Sequence, residues 1–141
     1  MLTDTHTHPY YSENPDIFVK DAVEAGVTKM IMPNVDADSI TAMKELAAKY
    51  PANFRMAMGL HPTSVKDDWK ENLNHIIDEF VHNSDNYLAI GEIGVDLYWD
   101  KTYRDRQMQV FDSQLTLART YGLPVIIHCR EALSETLEVL S

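Results

Sequence analysis

The side chains able to do chemistry are spread thinly along this sequence. His6 and His8 stand two apart near its start, and His61 lies in Gly59-Leu60-His61-Pro62. Glu92 sits in Gly91-Glu92-Ile93-Gly94, and His128 is followed by Cys129 and Arg130. Two imidazoles and a carboxylate suit Zn²⁺, Mn²⁺, Ni²⁺ or Fe²⁺. A carboxylate has two oxygens, so Glu92 can bridge two ions about 3.5–4 Å apart, with His128 on the second. Such a pair lowers the pKa of a bridging water and holds both oxygens of a phosphoryl displacement. A single His-X-His reads equally as two surface histidines. Joined by a glutamate and a further histidine at later strand ends, it reads as a metal site.

The elements that must position these residues follow a strand-then-helix rhythm. Apolar runs predict strands at about Leu2–His8, Thr28–Asn34, Phe54–Leu60, Tyr87–Gly94 and Pro124–His128. Between them, apolar residues recur at helical spacing, as in Ile40, Met43, Ala47, Tyr50, in Leu73, Ile76, Ile77, Phe80, and in Met108, Phe111, Leu115, Ala118. Asn14-Pro15 has the form of a helix start, and Gly122 with Pro124 the form of a helix end. Short, nearly continuous apolar runs such as Met30-Ile31-Met32 and Val125-Ile126-Ile127 predict strands covered on both faces, hence a parallel α/β sheet. In such a sheet all strand C-termini share one edge, which collects His6, His8, His61, Glu92 and His128 at one mouth.

Two architectures fit: an open doubly wound sheet, or a (β/α)₈ TIM-type barrel truncated to about five βα units. Barrels typically need about 250 residues, and the chain has 141. No linker divides it, so residues 1–141 are expected to form one domain, the N-terminal portion of a barrel.

Several further residues carry two readings each. His61 is either a substrate or supporting residue or a structural turn beside Pro62. Arg130 either clamps a phosphate or pairs with Glu131. Asp4 shares the strand face of His6 and His8, where it would orient a ligand. Asp96, Tyr98 and Trp99 follow Glu92, and the two aromatics either stack a base or sugar or pack a loop. Cys129 faces away from His128 on a strand and reads as a buried, inert thiol. His75 and His82 lie off the apolar stripe of their helix and read as solvated. The Gly91–Gly94 motif lacks dinucleotide-binding spacing.

Composition narrows the partners. Twelve basic residues against 22 acidic ones give a net charge of −10, which excludes a broad basic footprint; nucleic acid would have to be engaged by a local device such as a metal. One cysteine allows no intrachain disulfide, and no run suits a membrane span or a secretory leader. A reducing, cytoplasmic setting with no membrane partner is the expectation.

Taken together, Asp4-Thr5-His6-Thr7-His8, Gly59-Leu60-His61-Pro62, Gly91-Glu92-Ile93-Gly94-Val95-Asp96-Leu97-Tyr98-Trp99 and His128-Cys129-Arg130-Glu131-Ala132 resemble the TatD family of metal-dependent deoxyribonucleases, within the amidohydrolase-like barrels. The resemblance covers essentially the whole chain. It implies a hydrolase, a divalent-metal phosphodiesterase acting on DNA, often by 3′-to-5′ trimming of single strands. It implies two divalent ions (Mg, Mn, Zn or Ni), with His6 and His8 on the first, Glu92 bridging both and His128 on the second. Glu92 and His128 would be the catalytic residues, with Asp4, His61, Asp96, Tyr98 and Arg130 binding substrate or supporting the ligands. The family also uses a histidine after the sixth strand and an aspartate after the eighth, which lie past the five strands found here. The expectation is a native protein longer than these 141 residues. Two other functions remain open: a metal-dependent hydrolase of an ester, amide or aminoacyl bond, and a catalytically incomplete module that holds one metal through His6, His8 and Glu92.

Overall fold

The computed structural model describes residues 1–141. The apolar runs become β1 (Leu2–Asp4), β2 (Val27–Pro33), β3 (Phe54–Met58), β4 (Tyr87–Asp96) and β5 (Val125–Arg130). Between and after them lie α1 (Pro15–Glu24), α2 (Ser39–Lys49), α3 (Trp69–His82), α4 (Arg104–Tyr121) and α5 (Leu133–Leu140). The caps read from the sequence are present: the Asn14 side chain accepts from the Ile17 N–H at 3.1 Å, and Gly122 ends α4 in the left-handed region at φ 65°.

The five strands pair in the order β1-β2-β3-β4-β5, and every pair is parallel. A doubly wound sheet reverses its strand order at a switch point; this one never does. Right-handed crossovers then keep all the connecting helices on one face. The result is the wall of a (β/α)₈ barrel, five units of it. Its core joins Met30 and Met32 of β2, Met43 and Leu46 of α2, Ile76 and Phe80 of α3, and Phe111 and Leu115 of α4. Each such side chain contributes about 1.5–3 kcal/mol by leaving water.

Two strand expectations need correction. β1 stops at Asp4 rather than His8, because the Asp4 carboxylate accepts from the His6 N–H at 3.0 Å and bends the chain in an Asx turn. The segment still runs beside β2, since the Thr7 N–H donates to the Ile31 carbonyl. β5 is not covered on both faces: Ile127 is 38% exposed, and Cys129 is exposed rather than buried. It is the edge strand, with β4 on one side only. No helix is long and apolar enough to cross a membrane.

Candidate metal centre

Parallel strands deliver the polar residues to one region. The turn that follows β1 carries His6 and His8, the turn after β3 carries His61, and β4 and β5 carry Glu92 and His128. Gly94 of β4 stands in register with His128 of β5. Its φ of +145° is open to glycine alone, and a Cβ there would run into the His128 carbonyl oxygen. From that position His128 Nδ1 reaches Glu92 Oε1, two residues earlier on β4, at 3.0 Å.

Glu92 is 5% exposed and is the hub. Its Oε2 lies 2.9 Å from His6 Nε2 and 3.4 Å from His8 Nε2. Its Oε1 lies 3.0 Å from His128 Nδ1 and 3.6 Å from His61 Nε2. Each oxygen therefore faces its own pair of imidazoles. Burial alone would raise the Glu92 pKa, but the surrounding imidazoles of His128, His61 and His8 outweigh it and hold the carboxyl well below the usual range. Glu92 also raises the pKa of His128, burial opposes that, and Asp96 adds to it.

The partners of the outer ring nitrogens fix which atoms point lone pairs inward. The Tyr10 hydroxyl donates to the Pro33 carbonyl at 2.5 Å, so its oxygen must accept from His8 Nδ1–H at 2.8 Å. Neutral His8 then presents the Nε2 lone pair. His128 Nε2–H donates to Asp96 Oδ2 at 2.7 Å, so the neutral form of this ring has Nδ1 as its inward acceptor. His61 is the reverse case. Its Nδ1 accepts from the Thr63 N–H at 3.1 Å, so the proton sits on Nε2, which donates toward His128 Nδ1 at 3.2 Å.

A cation fits this donor set. His6, His8 and Glu92 place three ligand-type atoms within 4.8 Å of one another, as do His61, Glu92 and His128. The two Nε2 atoms of His6 and His8 face each other at 3.1 Å, a convergence that a shared cation satisfies. In the second group the tautomers leave Glu92 and His128 as acceptors and His61 as a donor. Asp96 behind His128, and Tyr10 behind His8, are the kind of outer partners that orient metal ligands.

The family model for TatD related DNase matches residues 3–141. The chain belongs to the TatD family. It is 33% identical to an uncharacterized metal-dependent hydrolase, YabD, of Bacillus subtilis (strain 168), over 99% of this chain and 55% of that protein. It is also 33% identical to the 3′-5′ ssDNA/RNA exonuclease TatD of Yersinia pseudotuberculosis (serotype O:3, strain YPIII), over 86% of this chain and 46% of that one. The crystal structure of the TatD homologue YjjV from Escherichia coli K12 superposes with a TM-score of 0.88 at 31% identity, covering 99% of this chain and 54% of that one. The chain thus spans about half the length of these relatives.

Among the residues singled out in the sequence, this TatD-family site brings together His6, His8, His61, Glu92, Asp96 and His128. Asp4 does not touch an imidazole; its carboxylate holds the His6 backbone. Arg130 does not pair with Glu131. Its guanidinium lies 3.8 Å from the Tyr98 ring centroid, with Trp99 at 5.4 Å. His75 and His82 are exposed on α3, as expected.

The sequence reading missed Tyr10 and three buried amides. Gln107 accepts from the Asp96 N–H at 2.8 Å and donates to the Asp96 carbonyl at 3.0 Å. Gln114 does the same for Leu60, at 2.7 and 3.2 Å. The Asn34 side chain donates to the Gly59 carbonyl at 3.0 Å, and the Asn34 backbone carbonyl accepts from the Glu92 N–H at 3.2 Å. These side chains complete backbone pairing where the ladder ends near the site. The available signal was two glutamines seven apart on the apolar face of a helix.

Proposed function

We propose that the protein is a divalent-metal-dependent phosphodiester hydrolase that acts on DNA, trimming single strands from the 3′ end. The observation that carries this reading is the division of Glu92 between two imidazole pairs. On this reading His6, His8 and Glu92 Oε2 would hold one ion, and Glu92 Oε1 with His128 Nδ1 would hold a second. The ions, when bound, supply Lewis acidity at the phosphate and acidify the attacking water. The chain's own residues then have distinct tasks. Glu92 sets the spacing of the two halves and stays ionised under neutral conditions. Asp96 keeps the His128 lone pair inward. His61 offers Nε2–H to a phosphate oxygen beside His128. The name of the Yersinia relative supports single-stranded nucleic acid and the 3′-5′ direction.

The test is shortening of a 5′-labelled single-stranded oligonucleotide with Mg²⁺ or Mn²⁺, with and without EDTA. The expected outcome is stepwise shortening that EDTA stops and that Glu92→Gln lowers by at least about 100-fold, beyond the usual loss for a supporting residue. An intact oligonucleotide beside metal-dependent hydrolysis of an ester panel would replace DNA with an ester-type substrate.

A further inference from the structure

We infer that Tyr98, Trp99, Arg130 and Lys66 form a subsite for one unpaired nucleotide, with its base stacked on Trp99 and its phosphate met by Arg130 and Lys66. The inference rests on the nucleic-acid reading above and names the residues that would hold the strand. It starts from a cost. Trp99 is 73% exposed and Tyr98 53% exposed, a pair of large rings left in water directly after β4.

The rings are held rather than loose. Asp96 Oδ1 accepts from the Tyr98 N–H at 3.1 Å, while its Oδ2 accepts from His128 at 2.7 Å. One buried carboxylate thus ties the aromatic step to the imidazole of the candidate centre. Tyr98 and Trp99 meet edge to face, with centroids 4.8 Å apart and planes at 90°. Arg130 lies over both rings, 3.8 Å from the Tyr98 centroid and 5.4 Å from that of Trp99. The Leu97 N–H also donates to the Arg130 carbonyl at 3.0 Å, which locks the two loops together.

Charge points the same way. In a chain with net charge −10, Arg130 and Lys66 each lie over an aromatic ring, Tyr98 and Tyr103 respectively, rather than on a carboxylate. A guanidinium stacked on an aromatic keeps its N–H edges free for phosphate oxygens. Lys66 and Trp99 share a cleft of about 310 Å³ whose wall also includes Thr63, Gln107 and the carboxylates of Asp96 and Asp100. Thr63 contacts His61 Nδ1 at 2.7 Å, so the cleft opens beside the histidine that offers a proton to the centre. A flat π surface, two cations lying over aromatic rings and a cleft next to the reacting groups are what an unstacked nucleotide needs; a base inside a duplex cannot expose its face to an indole.

The experiment measures binding in EDTA, so no cleavage intervenes, by anisotropy of a labelled single-stranded oligonucleotide and of the same strand carrying abasic residues. The 141-residue chain should prefer the intact strand by about ten-fold or more. Trp99→Ala should erase that preference, and Trp99→Phe should restore part of it. Arg130→Gln and Lys66→Gln should weaken both strands equally and flatten the salt dependence by about one unit of slope each. Circular dichroism of Trp99→Ala checks that the exposed side chain is not needed for folding. If Trp99→Ala still prefers the intact strand as wild type does, the subsite is wrong while the nuclease reading stands. If the wild-type protein neither binds nor cuts single strands, both fall together.

Discussion

The two sides of Glu92 are built from similar ligands but on different foundations. On one side His6 and His8 hang from a turn beyond a three-residue strand, and His6 is 39% exposed. On the other, His61 and His128 are 12% and 20% exposed, and each has its outer nitrogen engaged, by Thr63 and by Asp96. Strand ladders and buried amides fix the second side, whereas an Asx turn and one phenol fix the first. Each side places three ligand-type atoms within 4.8 Å of one another. Under the proposed two-ion reading, the open side would take the first ion and the enclosed side would hold its geometry.

The strongest way to break that contrast is Gly94→Ala. The new methyl would meet the His128 carbonyl at a backbone angle that only glycine tolerates. About 3 kcal/mol of stability should be lost in urea unfolding, and the enclosed side should be displaced while His6 and His8 still bind one ion. Asp96→Asn comes next. An amide can donate to His128 Nε2, which moves the ring proton to Nδ1 and blocks the inward lone pair. Affinity for the second ion should fall by about 10–100-fold, measured by calorimetric titration, with the first ion unaffected. Tyr10→Phe is the mirror test on the open side and the smallest effect. It frees His8 Nδ1 and leaves the Pro33 carbonyl without its partner, costing about 1 kcal/mol of stability and weakening the first ion by about ten-fold or less.

The same contrast marks where the sequence was readable. His6, His8, Glu92 and His128 could be placed at one sheet edge because strand periodicity and parallel topology are local signals. The barrel wall was legible as one of two options, and strand order decided between them. What escaped depends on distant neighbours. Gln114 reaches Leu60 across 54 positions, and nothing near it in sequence announces that partner. Val125-Ile126-Ile127 looks as buried as Met30-Ile31-Met32, but one run lies inside the sheet and the other at its edge. Histidine tautomers are set by Tyr10, Thr63 and Asp96, residues whose roles depend on side-chain contacts. Asp4 ended β1 early for a local reason that the apolar pattern concealed.

The central claim is that one carboxylate joins two metal positions. Titration with Mn²⁺ followed by electron paramagnetic resonance tests it directly. The account predicts a second bound ion per chain and, as it binds, replacement of the isolated-ion spectrum by that of a magnetically coupled pair, both lost in Glu92→Gln. A single bound ion, or two ions that remain uncoupled, would contradict it.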